Sequence, residues 1–310
     1  MIHQKTLLPK TLIVVVGPTA IGKTAMGIHL AQHFKCEIIS CDSRQFYKEM
    51  KIGTAVPSDE ELNSAKHHFI QHISIKDEYN VGQFEKDALN CLGKLFESND
   101  YAIMVGGSGL YVDAVCNGLD VFPNINKTTK TLVQSIFETK GIEGLQETLL
   151  EYDPITYNKI DLQNKQRVLR AVEICIESNK PYSSFLAKEK TKRNFNIIKI
   201  GITADREKIY ERINKRVHIM IEEGLVEEVK KLYDHKNTNA LNTVGYKEIF
   251  KYIDKEWSFD FAISEIQKNT RRYAKRQLTW WRKDENIQWV NFDDSIEKVL
   301  SKIGINSNTN

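Results

Sequence analysis

Gly17, Pro18, Thr19, Ala20, Ile21, Gly22, Lys23 and Thr24 follow the spacing Gly-x-x-x-x-Gly-Lys-Thr, which suits the capture of phosphate. Backbone N–H groups must wrap an anion, so glycines allow close approach and a helix beginning just after them offers its positive end. Lys23 adds a point charge, and the Thr24 hydroxyl is placed to ligate a phosphate-bound Mg²⁺. The setting fits as well. Residues 12–16 are a continuous apolar, mostly β-branched run, and residues 25–34 form a helical pattern. A second cluster, Ser40-Cys41-Asp42-Ser43-Arg44-Gln45, closes the next apolar run. In a parallel sheet Asp42 would emerge at the same edge as the phosphate loop, either as a Mg²⁺ ligand or as a general base. Ser43, Arg44 and Gln45 carry donors and acceptors suited to the edge of an unstacked nucleobase, which favours the base role.

Three further groups bear on chemistry. Gly106-Gly107-Ser108-Gly109 follows an apolar run and opens a helical pattern; it is either a plain tight turn or a place where backbone and the Ser108 hydroxyl approach a nucleotide. Residues 264–283 carry Lys268, Arg271, Arg272, Lys275, Arg276, Arg282 and Lys283 against one acid, Glu265. Like charges at i,i+4 destabilise an isolated helix, a crowding that phosphates would relieve. Tyr273, Trp280 and Trp281 sit among these cations and are expected in the core by ordinary burial preference. The segment Gln166, Arg167, Val168, Leu169, Arg170 puts both arginines on one helical face, where they could meet RNA or simply solvent. His67, His68 and His72 lie on a strand pattern without acidic or cysteine partners, so no metal is expected there.

The elements that must position these groups alternate. Apolar strand patterns at 12–16, 37–40, 69–73, 101–105, 197–202 and 287–290 are separated by helical ones, among them 81–97 and 209–222. That alternation predicts an α/β fold with a doubly wound, mostly parallel sheet, whose ligands sit at the carboxyl ends of the strands. Between them the patterns are purely helical (129–140, 143–151 and 165–178), which predicts a small all-helical domain inserted at 120–194 into a core of 1–119 and 195–310. The chain has 310 residues, enough for about two domains. No apolar run approaches the roughly 20 residues that cross a bilayer. Five cysteines without a Cys-x-x-Cys pair read as reduced residues of a cytosolic protein. A net charge of +3 does not by itself require a nucleic-acid partner.

Taken in order, GPTAIGKT, SCDSRQFYKEMKIGTAVP and Gly106-Gly107-Ser108-Gly109-Leu110-Tyr111 resemble successive signatures of the tRNA dimethylallyltransferase (tRNA isopentenyltransferase) family. The resemblance continues through Asn164-x-Gln166-Arg167-x-x-Arg170-Ala171, Arg216 with Met220-x-x-x-Gly224-Leu225-x-x-Glu228-Val229, Val244-Gly245-Tyr246-Lys247-Glu248, and Tyr273-Ala274-Lys275-Arg276-Gln277-x-Thr279-Trp280-Trp281-Arg282. It spans most of the chain.

The resemblance implies a P-loop kinase-like core with a helical insertion that grips the anticodon stem of tRNA. It also implies transfer of a dimethylallyl group from dimethylallyl diphosphate to the exocyclic amine of the adenosine 3′ of the anticodon. Within that scheme Asp42 is the base, residues 17–24 hold the diphosphate with Mg²⁺, and Arg216 is a further cation for the phosphates, although a solvated cluster of Arg212, Lys215 and Arg216 is the plainer reading. Ser43, Arg44, Gln45, Ser108, residues 166–170, Lys275 and Arg276 are expected at the tRNA. Two departures stand out: Ser108 where threonine is usual, and Val56 where lysine often follows Gly-Thr-Ala. A monomer is expected, with no C-terminal zinc finger. Two rivals differ in what they need: a small-molecule kinase would turn over ATP, and a non-catalytic RNA-binding protein would need neither Lys23 nor Asp42.

Overall fold

The computed structural model describes residues 10–186 and 191–305. Six strands form one sheet: β1 (Thr11–Val16), β2 (Ile38–Ser40), β3 (His67–His68), β4 (Tyr101–Val105), β5 (Asn196–Thr203) and β6 (Ile287–Asn291). Their spatial order is β3-β2-β4-β1-β5-β6, and every pairing is parallel. The helices of this unit are α1 (Lys23–Phe34), α2 (Asp59–Ser64), α3 (Val81–Ser98) and α4 (Gly109–Asn117), then, after the insertion, α8 (Arg206–Glu222), α9 (Leu225–Lys231), α10 (Tyr246–Ile253), α11 (Phe259–Trp281) and α12 (Ile296–Lys302).

The period of two explains why β1 is apolar throughout. Ile13 and Val15 point into one core with Ile28, Leu30 and Ile200, whereas Leu12, Val14 and Val16 point into another with Phe84, Leu92 and Val115. A strand covered by helices on both faces has no polar side to show. Because all strands run parallel, the ends of β1, β2 and β4 reach one edge, and they deliver the phosphate loop, Asp42 and Gly106 there. A third core, under Tyr47 and Met50, is closed by α9 and α10 through Leu225, Val229, Tyr246 and Ile249.

One strand departs from expectation. The pattern at 69–73 predicts a strand, yet β3 ends at His68, because Phe69 (φ 62°) and Gln71 (φ 47°) adopt left-handed backbone that no ladder accommodates. The parallel Tyr47–Ile73 bridge keeps the direction of the sheet. His68 also gains an acidic partner that the sequence did not suggest, with its Nε2 2.6 Å from a Glu37 carboxylate oxygen.

By its internal contacts the chain divides into Met1–Asn117 with Arg193–Asn310, and Gly118–Lys192. The second unit holds α5 (Lys127–Tyr152), α6 (Pro154–Tyr157) and α7 (Lys165–Ser178) around Val133, Leu145, Leu149, Val168, Ala171 and Val172. Gly141 (φ 69°, ψ −158°) kinks α5 between the two helical patterns expected there. The buried Asp153 carboxylate accepts from the backbone N–H and hydroxyl of both Thr156 and Ser183, which fixes the turn after α5. Among the described residues no helix is long and apolar enough to cross a membrane.

Candidate active site

Gly22 adopts φ 109° as the N-cap of α1 and supplies no side-chain acceptor, so the first-turn N–H groups are left for an anion. The loop before it is held from three sides. Lys23 Nζ donates to Pro18 O (2.8 Å), Arg212 Nε of α8 to Ala20 O (2.7 Å), and Thr19 N–H to Gln277 Oε1 of α11 (2.8 Å). These contacts fix the loop before any ligand arrives.

The loop forms one wall of a cavity of about 960 Å³, and Lys23, Thr24, Asp42, Arg212 and Arg216 all line it. Burial lowers the Lys23 ammonium to a pKa of about 8; the Asp42 carboxylate opposes that shift and the Arg216 guanidinium adds to it. Arg216 is itself pushed down, first by burial and then by Arg212. Its guanidinium makes no hydrogen bond or ion pair among the described residues. A buried, unpaired cation beside two others is costly without an anion, and this one faces the phosphate loop. Glu61, also in the wall, is occupied in the capping box of α2.

The remaining walls come from loops pinned underneath. Glu228 of α9 accepts from the N–H groups of Lys51, Ile52 and Gly53 (2.8–2.9 Å) and from the Tyr246 hydroxyl at 2.6 Å. One carboxylate thereby sets the turn that carries Ile52, Ala55 and Val56 into the cavity. Val56 presents a methyl surface here, so this position offers no cation, although the exposed Lys51 at the start of the turn does.

At the sheet edge Cys41 N–H donates to Val105 O, and Gly106 lies so close that a Cβ would stand 2.0 Å from Cys41 O. Only glycine permits that approach, which brings the Gly107-Ser108 turn against the Asp42 loop. Asp42 Oδ1 accepts from Arg44 N–H at 3.0 Å. Ser43 N–H donates to Ser108 Oγ, whose hydroxyl donates in turn to Ser43 Oγ, both at 3.1 Å. Serine therefore keeps the bond that threonine would make.

Three residues expected at the nucleotide have further duties or are buried. Arg44 Nη1 is committed to the carbonyls of Asn239 and Ala240, and the Gln45 amide donates to Thr54 O and Ala55 O. Both residues brace the loop framework, and Gln45 also lines the cavity. Val168 is fully buried in the core of the insertion and presents nothing to RNA, since α7 turns that position inward. Leu169 also packs partly against this core, whereas Gln166, Arg167 and Arg170 are exposed, Arg170 reaching Glu173 at 3.5 Å. Lys275 and Arg276 are exposed on α11.

The structure adds residues that the sequence did not single out. Arg212, read as a solvated charge, holds the phosphate loop. Gln277, only 6% exposed, accepts from Thr19 N–H and donates through Nε2 to Gly107 O (3.0 Å), which ties both substrate loops to one helix. Four residues earlier, Tyr273 lies beside Ser108, and burial followed by the Asp42 charge pushes its phenol well above the ordinary range.

No trio of His, Cys, Asp or Glu side chains among the described residues forms a metal cage. The Thr24 hydroxyl in the cationic loop wall fits Mg²⁺, which takes few protein ligands and completes its shell with phosphate and water.

With this geometry in view, the family profile described as IPP transferase matches residues 45–284. The chain is 57% identical over 300 residues to a tRNA dimethylallyltransferase of Flavobacterium johnsoniae, covering 95% of this chain and 97% of that protein. It is 55% identical over 298 residues to one from Christiangramia forsetii, covering 96% and 99%. The fold is similar to the full-length tRNA isopentenylpyrophosphate transferase of Bacillus halodurans, with a TM-score of 0.70, 33% identity and coverage of 95% and 97%. It is also similar to a eukaryotic dimethylallyltransferase described as acting on tRNA, with a TM-score of 0.79, 25% identity and coverage of 92% and 74%.

Proposed function

The chain belongs to the IPP transferase family and is a tRNA-modifying prenyltransferase, and from that premise we propose how its cavity transfers the group. The dimethylallyl group leaves dimethylallyl diphosphate and joins the N6 amine of the adenosine 3′ of the anticodon. What supports this reading most is one observation: Lys23, Arg216 and Asp42 line a single cavity. A proton acceptor and an anion site are thus within one substrate's reach.

The adenine N6 is a weak nucleophile because its lone pair is delocalised into the ring. As the C1–O bond to diphosphate breaks and the N6–C1 bond forms, the N6 proton passes to the Asp42 carboxylate, which keeps the new amine from carrying a positive charge. Negative charge grows on the departing diphosphate, where the first-turn N–H groups of α1, Lys23 and Arg216 meet it. Lys23 and the loop that precedes α1 are fixed beforehand by Pro18, Gln277 and Arg212, so the stabilisation is greater in the transition state than in the ground state. The Thr24 hydroxyl would hold Mg²⁺, which when bound neutralises part of the diphosphate charge.

The adenosine must leave the anticodon-loop stack to reach this depth. Ser108 and Tyr273, beside Asp42, would receive it, while Gln166, Arg167, Arg170, Lys275 and Arg276 would meet the RNA backbone. A monomer in the cytosol, with its cysteines reduced, suits this task. The test is nucleoside mass spectrometry after incubation with an unmodified anticodon stem-loop and either dimethylallyl diphosphate or ATP. A gain of one dimethylallyl group on adenosine with the prenyl donor supports the reading. ATP turnover without prenyl transfer would instead support a kinase.

A further inference from the structure

The tryptophans 280 and 281 were both expected in the core, but they part company: Trp281 is 1% exposed and Trp280 is 37% exposed. Trp280 is nonetheless not loose. A Cβ placed on Gly109 would stand 2.5 Å from its Nε1 and 2.7 Å from both Cδ1 and Cε2. Near-equal distances to an atom and its two ring neighbours mean that the indole lies face-down on the Gly109 backbone, since an edge approach would leave the neighbours much farther. Nε1 donates to Asp113 Oδ2 of α4 at 3.2 Å, which fixes the ring's rotation. One face is therefore seated and the other turned outward.

The surroundings of that outward face are those of a nucleic-acid surface. Arg276, one turn back on α11, and Lys283, one turn on, are both exposed, as is Leu110 on α4. Gly109 directly follows Ser108, the hydroxyl of which is bonded to the loop of Asp42. The ring thus adjoins the mouth of the nucleotide side of the site. A rigid aromatic plane flanked by cations matches the π-face of a base and the phosphates beside it. An apolar protein segment would leave those cations unpaired.

On the functional reading above, we propose that Trp280 is a stacking platform for the nucleobase next to the adenosine that enters the cavity, holding the loop open after extrusion. Stacking on an aromatic side chain is worth roughly 1–3 kcal/mol per base, or roughly a 5- to 150-fold change in affinity. The experiment measures binding of a fluorescent anticodon stem-loop to the full chain without prenyl donor, so it is independent of transfer. Intact loops are compared with loops made abasic at either nucleotide flanking the acceptor. For the wild type, one abasic position should weaken binding by that 5- to 150-fold. Trp280→Leu, which still covers Gly109, should weaken binding of the intact loop to the same degree and become indifferent to the abasic site. Trp280→Phe should restore most of the affinity. Unchanged affinity in Trp280→Leu, or losses that multiply when variant and abasic loop are combined, would overturn the platform. Failure of prenyl transfer with this binding pattern intact would strike the functional reading alone.

Discussion

The Lys23 ammonium gives the most quantitative expectation. Its pKa of about 8 in the free protein results chiefly from burial, with Arg216 adding repulsion and Asp42 partly compensating. Below that value the site presents a cation; above it, a neutral amine. By the titration curve Lys23 is about nine-tenths charged at pH 7 and about one-tenth charged at pH 9. A bound diphosphate favours the charged form and raises the pKa, so binding takes up a proton wherever the free lysine is partly neutral. The sign follows. Affinity for dimethylallyl diphosphate is full below pH 8 and falls by about tenfold per pH unit above it, until the bound-state pKa is reached. Ester phosphates complete their ionisation near pH 6, below this window, so the ligand contributes no opposing trend. Calorimetry in two buffers of different ionisation enthalpy should show uptake of about half a proton per ligand at pH 8. Lys23→Arg, whose guanidinium does not titrate there, should bind with no inflection. Affinity flat between pH 7 and 9, or an inflection that survives in Lys23→Arg, would refute the electrostatic picture.

Other variants probe the neighbours. Arg216→Ala should lower turnover at least tenfold, on the order of the loss of one charged hydrogen bond in the transition state, and an unchanged kcat/KM for the diphosphate would remove it from the site. Gln277→Ala leaves the Thr19 N–H and the Gly107 carbonyl without partners at the cost of roughly 1–3 kcal/mol, so KM for the diphosphate should rise about tenfold or more. Stem-loop affinity of that variant should fall as well, because Gly107 carries Ser108, and an unchanged KM for the diphosphate would contradict the tie to the phosphate loop.

The parts that were legible in the sequence are those dictated by local rules. The apolar run of β1 meeting Gly17-x-x-x-x-Gly22-Lys23-Thr24 needed only a strand, a turn and a helix start, all of which form. The parallel sheet followed from alternation, and the break in α5 follows from a glycine between two helical patterns. What escaped depends on contacts between distant segments. Arg212 and Gln277 meet the phosphate loop from positions far along the chain, and neither spacing nor composition encodes that meeting. Arg44 and Gln45 have the chemistry for a base and also hold backbone carbonyls, a second duty set by the loops that fold over them. Val168 shows the limit of carrying a motif as a block: α7 presents its arginines outward only by turning the intervening valine in. Trp280 and Trp281 could not be separated by burial preference, because one residue of helical rotation decides which faces solvent.

The central claim is that Asp42 collects the proton in the same cavity where Lys23 steadies the leaving diphosphate. Asp42→Asn tests it most directly, since the amide oxygen can still accept from Arg44 N–H and the loop can keep its shape. The measurement is single-turnover dimethylallyl transfer to an anticodon stem-loop, with the binding constants of the stem-loop and the prenyl donor taken on the same preparation. Both binding constants should be unchanged, while the transfer rate falls roughly 10²- to 10⁴-fold, the usual contribution of a general base. A variant that binds both substrates and transfers at the wild-type rate would contradict the account.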